Sequence, residues 1–172
     1  MPLKIGQKSL TKKNTRTVTF YRGEDRFDIT VGPMPAKYLE RVRDCVLKRP
    51  EPPRKPVEIK PGRFLREGNE VVFETDENDP TYQEELKKFI NLMLVARVDA
   101  FISYDQNVTF DSQRPDKSLS EAPQEWKSYF ESLMAELLDP DTGFTSSEIS
   151  HILDEGDKTE LCLDVEGSIK TF

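Results

Sequence analysis

Two stretches near the N-terminus alternate apolar and polar residues. Val18 and Phe20 are spaced by threonines within 17–22, and Phe27, Ile29 and Val31 by polar residues within 26–31. Period-two runs on either side of Gly23-Glu24-Asp25 predict a β-hairpin closed by a three-residue loop. The period then changes. From Ala36 to Arg49, Tyr38, Leu39, Val42, Cys45 and Val46 recur on one face with charged residues opposite, which predicts an amphipathic helix ended by Pro50. Asp79-Pro80 supplies an N-cap and a proline at the first helical position, and opens a helix expected to reach about Ser103. Its second half, Phe89–Ala96, is apolar nearly all round and predicts burial between other elements. Twenty-four residues at 1.5 Å rise span roughly 36 Å, so this helix is the expected spine.

Ser120 is the expected cap of a further helix over 121–138, striped by Trp126, Tyr129, Phe130, Leu133, Met134, Leu137 and Leu138. Thr145-Ser-Ser-Glu148 matches a capping box and predicts a short helix, 146–153. Leu161, Leu163 and Val165 alternate with Glu160, Cys162 and Asp164 and predict a terminal strand. Elsewhere the pattern is thin. Phe64-Leu65 and Val71–Phe73 offer a loose strand pair across Glu67-Gly-Asn69, and Val108–Phe110 a short strand in a loop. Pro50, Pro52, Pro53, Pro56 and Pro61 make 50–62 an extended spacer. Residues 1–16 carry five basic side chains, no acid, and only Leu3, Ile5 and Leu10 as sizeable apolar groups, so a flexible or partner-ordered arm is expected.

The fold class is therefore α+β: an N-terminal β-hairpin, a Pro-rich spacer, and a mainly helical body built round one long helix. The organisation is a basic arm (1–16), hairpin plus helix (17–49), spacer with a strand pair (50–78), and helical body with terminal strand (79–172).

Composition sharpens this picture. Charged residues are 33% of the chain and apolar ones 35%, so a core forms only if some segments stay outside it. The charge is split by position. Residues 1–70 hold 17 Lys/Arg against 9 Asp/Glu, and residues 71–172 hold 8 against 23. Such asymmetry bears on association rather than on fold. No apolar run approaches the ~18 residues of a membrane span, and lysines interrupt the N-terminus where a secretory signal would be apolar. Cys45 and Cys162 lie far apart without a CxxC, which favours two reduced thiols in a soluble, intracellular protein.

Little in the residues points to catalysis. His151 is the only histidine and has no nucleophile motif to partner it; it reads as a surface or hydrogen-bonded side chain. The glycines are scattered singly, without a phosphate loop. Asp139, Asp141, Gly143 and Glu148 lie between two helices like a calcium loop, but an EF-hand needs glycine at position 6 and glutamate at 12. Counted from Asp139 they fall at 5 and 10, so a helix stop followed by a capping box accounts for them better. Neither a cofactor nor a metal is expected. Arg16, Phe20, Tyr21, Arg22, Arg26 and Phe27 interleave basic and aromatic residues and raise nucleic-acid binding. The inward alternation of Phe20 and Phe27 favours an ordinary hairpin with a basic rim instead.

The order of elements resembles tail assembly chaperones of long-tailed bacteriophages. The nearest parts are Asp79-Pro-Thr-Tyr-Gln-Glu-Glu-Leu86 opening a long helix, the Trp126 helix, and Gly143-Phe-Thr-Ser-Ser-Glu-Ile149, over residues 18–153. The resemblance implies a non-enzymatic assembly factor of the host cytoplasm. It would bind the tape-measure protein or tail tube subunits and be absent from the finished particle. A groove for that partner is expected on Phe89, Leu92 and Met93 of the long helix and Trp126, Phe130, Leu133 and Leu137 of the next. The competing expectation is that the two stripes pack on each other as core. Other readings are a structural virion protein (a tail or connector subunit with clasping arms) and a nucleic-acid-binding regulator using the basic arm. Head-to-tail self-association through opposite charges also stays open.

Overall fold

A computed structural model of the chain describes residues 14–169 and the dipeptides Lys4–Ile5 and Lys8–Ser9, with side chains described over 14–160. It is an α+β fold. Of the arm expected over 1–16, Lys4–Ile5 (β1) pairs antiparallel with Lys8–Ser9 (β2), and the remainder up to Lys13 lies outside the described residues.

The hairpin forms from Arg16–Arg22 (β3) and Asp25–Val31 (β4), in the register Val18↔Ile29 and Phe20↔Phe27. Its loop is Gly23-Glu24, two residues rather than three, because Asp25 is drawn into the ladder opposite Arg22. Gly23 takes φ +63°, the left-handed value that a two-residue turn needs at its first position. Val18, Ile29 and Val31 are buried against the helices, whereas Phe27 at the turn end is 43% exposed.

Tyr38–Cys45 (α1) is shorter than the periodicity suggested. The backbone N–H groups of Val46 and Leu47 both donate to the Val42 carbonyl, at 2.9 and 2.8 Å, and this winds the helix out before Pro50. Tyr38 and Val42 still face the core. Pro80–Ile102 (α2) begins as expected, with the Asp79 carboxylate accepting the Tyr82 N–H at 2.8 Å. It is the spine and packs on α1, β4 and the two later helices.

Pro123–Leu137 (α3) starts two residues later than predicted, and Ser120 does not cap it. The preceding turn is closed by Ser118, whose N–H and hydroxyl both donate to the Glu121 carboxylate. Trp126 Nε1 reaches back to the Lys117 carbonyl at 2.8 Å. Val108–Phe110 forms no strand; Val108 and Phe110 pack on the core from an irregular loop.

The capping box forms as read. The Glu148 N–H donates to Thr145 Oγ1 at 3.2 Å, and the Thr145 N–H donates to Glu148 Oε2 at 2.8 Å. The helix it opens is not short: Ser146–Ile169 (α4) is continuous, and the predicted strand at 161–165 is helix instead. Among the described side chains of this helix, Ile149, Ile152, Gly156 and Thr159 are buried beside the capping Glu148, spaced by three and four residues, so the helical period persists past 153. Gly156 lies directly against the Phe101 ring.

The Pro-rich region holds the largest departure. Arg54–Pro56 (β5), Glu58–Lys60 (β6), Arg63–Phe64 (β7), Arg66–Glu67 (β8), Glu70–Val71 (β9) and Phe73–Thr75 (β10) form three two-stranded arms: β5 with β10, β6 with β7, and β8 with β9. The arms meet where Val57, Leu65 and Val72 pass backbone hydrogen bonds round a ring. The Val57 N–H donates to Val72 O, Leu65 N–H to Val57 O and Val72 N–H to Leu65 O, each at 2.8–2.9 Å. No residue from 51 to 80 is buried. The segment is thus a projecting three-armed β structure rather than a spacer. The predicted partners are rearranged: Phe64 lies opposite Glu58, and Phe73 opposite Pro56.

Candidate functional site

The predicted groove residues separate once their environments are known. Leu92, Trp126, Phe130, Leu133 and Leu137 belong to the buried core shared by α2 and α3. The expectation that Trp126, Phe130, Leu133 and Leu137 present an open groove face is corrected accordingly. The two stripes satisfy each other, and α4 and the hairpin close round them. Phe89 and Met93 remain half-buried at the margin.

Phe89 and Leu92 do line a cleft of about 700 Å3 where the end of α1, the middle of α2 and the start of α3 meet. Val46 and Leu47 form the rest of its apolar floor, with the free thiol of Cys45 beside them. Lys48, Arg49, Lys88 and Lys127 surround it, against Glu85 and Glu131. Lys88 is engaged by Glu131 at 3.0 Å, so the rim is basic on balance.

A second cleft, of about 690 Å3, has the opposite sign. It opens between the turn end of the hairpin, the loop 107–111, the end of α3 and the turn 139–144. Phe20, Phe27, Val108, Phe110, Leu137 and Phe144 line it, together with Asp28, Asp111, Glu136 and Asp139. Phe20 stacks on Phe27 at 5.7 Å and meets Phe144 edge-on at 5.8 Å. Three of these carboxylates, Asp28, Glu136 and Asp139, are held in their charged form. Thr19 and Arg26 keep Asp28 below the usual carboxylate range. The N–H groups of Thr142 and Asp141 do the same for Asp139. Burial pushes Glu136 upward, but the Ser112 and Asp111 donors outweigh it and leave it lowered. Arg22 is the single basic side chain in the lining, and it is already committed. It donates to both Glu148 carboxylate oxygens, at 3.1 and 2.8 Å, and to the Gly143 carbonyl at 2.7 Å. This fork lowers the Glu148 carboxyl and clamps the hairpin to the start of α4.

The four residues that resembled a calcium loop have other work here. Asp139 accepts the N–H groups of Asp141 and Thr142 at 2.9 and 2.8 Å, Gly143 N–H closes on Asp139 O, and Glu148 completes the cap. Among the described residues no group of three or more His, Cys, Asp or Glu side chains is arranged to hold a metal ion. His151 is exposed on α4, and Cys162 lies outside the described side chains. No helix among the described residues is long and apolar enough to cross a membrane.

The sequence reading missed a buried polar cluster. Asp99, only 3% exposed in α2, accepts the Tyr129 hydroxyl at 2.7 Å. Arg114 Nη2 approaches its other oxygen at 3.5 Å while its guanidinium lies 5.3 Å above the Trp126 ring. Among the described residues the buried Tyr38 hydroxyl makes no hydrogen bond of normal geometry, although the Arg114 guanidinium faces it too. Burial pushes the Asp99 carboxyl upward, with Arg114 and the Tyr129 hydroxyl opposing. Burial and the Asp99 charge push both tyrosines upward. The signal in the sequence was one acid at the end of an apolar run.

Arg114→Ala tests this cluster. Removing the guanidinium lets the folded-state Asp99 pKa climb further above its unfolded value of ~3.9. A raised carboxyl contributes full stability below the unfolded pKa and loses it as pH rises through the folded one. The variant should therefore match the wild type near pH 4 and fall behind as pH rises. Because Arg114 is 42% exposed, the deficit at pH 7.5 is expected at ~1–2 kcal/mol, below that of a fully buried pair. Urea unfolding at the two pH values measures it; a deficit independent of pH would assign Arg114 to packing on Trp126 alone.

Comparison of the chain with protein families, curated proteins and solved structures finds no match in any of the three.

Proposed function

We propose that the protein is a non-enzymatic assembly factor that receives an amphipathic helix of a structural partner. The reading specific to its sequence resemblance is a tail assembly chaperone, acting on a tape-measure or tail tube protein in the host cytoplasm. The observation that carries the proposal is the basic-rimmed cleft between α1, α2 and α3. An apolar floor of Phe89, Leu92, Val46 and Leu47 suits the apolar face of a helix, and a rim of Lys48, Arg49 and Lys127 suits acidic residues flanking that face. A long helical polymer that must be kept soluble before assembly presents such faces repeatedly.

Co-expression with the tape-measure protein encoded by the same genome tests this. The wild type should hold the tape measure in the soluble fraction. Phe89→Ala combined with Lys127→Glu should lose that effect while keeping the helical circular dichroism of the wild type and a cooperative, if lower, melting transition, since Lys127 is exposed and Phe89 is half-buried at the core margin. Retention of the partner by the folded double variant would reject the cleft as its seat.

A second reading, a structural virion protein with a clasping element, is favoured by the three-armed β projection. Ile59, Phe64, Leu65 and Phe73 are exposed on a segment that buries nothing of its own. Stoichiometric amounts of the chain in purified particles would select this reading over the chaperone.

A further inference from the structure

The acidic-rimmed cleft plays no part in the function proposed above, and it suits a ligand that the chain itself carries. We propose that the basic N-terminal segment of a second copy, residues 1–13, seats in this cleft and links copies head to tail. The match is of charge and of apolar character together. The segment holds Lys4, Lys8, Lys12 and Lys13 with no acid, and intersperses Leu3, Ile5 and Leu10. The cleft offers an apolar wall ending in Phe27, which is 43% exposed, and a rim that includes Asp28, Glu136 and Asp139. Each of those three carboxylates is held below its ordinary pKa: Glu136 by donors of Asp111 and Ser112, Asp139 by those of its own turn, and Asp28 by Thr19 and by Arg26, which pairs with it at 3.1 Å, so the unpaired negative charge of the rim at neutral pH rests on Glu136 and Asp139. Arg22, the one lining cation, is spent on Glu148 and Gly143 O and does not neutralise it.

Chain direction selects a second copy over the same one. β3 begins at Arg16, opposite Val31 and tied to Glu155 at 2.5 Å, and runs toward the cleft, which it reaches at Phe20 and Arg22. Asn14 and Thr15 therefore stand at the far end of the hairpin from the cleft. To fill its own cleft the segment would have to reverse at Asn14 and return ~13–20 Å beside β3. Among the described residues β1 and β2 pair with each other and with no strand of the hairpin. A second copy can present the segment to the cleft without any such reversal. A contact between two different surfaces of one chain is heterologous, and propagates into rings or open strings rather than closing as a two-fold dimer.

The test uses full-length chains in sedimentation velocity over a concentration series. The wild type should associate at low salt and dissociate near 1 M salt, where the screening length falls to ~3 Å. Lys4→Gln, Lys8→Gln, Lys12→Gln and Lys13→Gln together remove the segment's charge. Phe27→Lys removes the ring and places a cation in the cleft, at an exposed position outside the core. Each variant alone should weaken association about tenfold or more, with an unchanged melting curve. Mixing the two should then restore a one-to-one complex, because one contributes an intact cleft and the other an intact segment. A monomeric wild type, association that either variant leaves intact, or a mixture that stays monomeric would each overturn the proposal.

Discussion

Phe130→Ala is expected to remove ~3–5 kcal/mol of stability, a large share of the ~5–15 kcal/mol available to a domain of this kind. Phe130 is fully buried in α3, in ring contact with Trp126 and Tyr129 at 5.6 Å to each. Truncation deletes apolar burial and leaves a cavity that three rigid elements cannot collapse round. Equilibrium urea unfolding should show a lower midpoint with an unchanged slope. The measurement also decides the role of the α3 stripe. A core residue loses fold and function together, whereas a docking residue would lose partner binding with stability intact. The burial of Trp126, Phe130 and Leu133 predicts the first outcome.

Gly156→Val is expected to cost ~3 kcal/mol, the upper end of the usual overpacking range. A Cβ at this position would lie 2.5 Å from the Phe101 ring atoms, and Phe101 is itself fully buried, so the ring has nowhere to go. Exposed helical glycines behave oppositely, because replacing them usually gains up to ~1 kcal/mol of helix propensity. The sign of the effect therefore reports the close approach of α4 to α2. A double-mutant cycle with Phe101→Leu isolates it: the smaller side chain should recover part of the loss, giving a coupling of at least ~0.5 kcal/mol. Strict additivity would mean that the two helices do not meet here.

The elements legible in the sequence are those whose cause is local. The Asp79-Pro80 start of α2, the Thr145–Glu148 capping box and the alternation of β3 and β4 each state their structure within a few residues, and each forms. The errors arose where two local signals competed. Leu161, Leu163 and Val165 alternate like a strand, but they follow an intact helix start with no proline to stop it, and Ile149, Ile152, Gly156 and Thr159 already anchor that helix on the body. In 50–62 the prolines suggested a spacer because proline removes ladder donors, with only a loose strand pair after it. Pro56 nonetheless sits in a two-stranded arm, where one edge of each strand needs no partner. The ring of bonds joining Val57, Leu65 and Val72 links residues from three separate turns, which no local window contains.

The candidate sites were less legible, and for one physical reason. An apolar stripe has the same spacing whether a neighbouring helix or an outside partner covers it. Residue pattern alone determined the α+β class, the hairpin, the spine helix, the capping of α4 and the opposed charges of the two regions. Only the packing of α2 against α3 and α4 decided that Trp126, Phe130 and Leu137 are core while Phe89 stands at a cleft. The hairpin's position over α4 likewise decided that Phe27 and a set of ionised carboxylates frame a second cleft, of opposite charge. Burial is a property of neighbours distant along the chain, so it became visible only when those neighbours were in place.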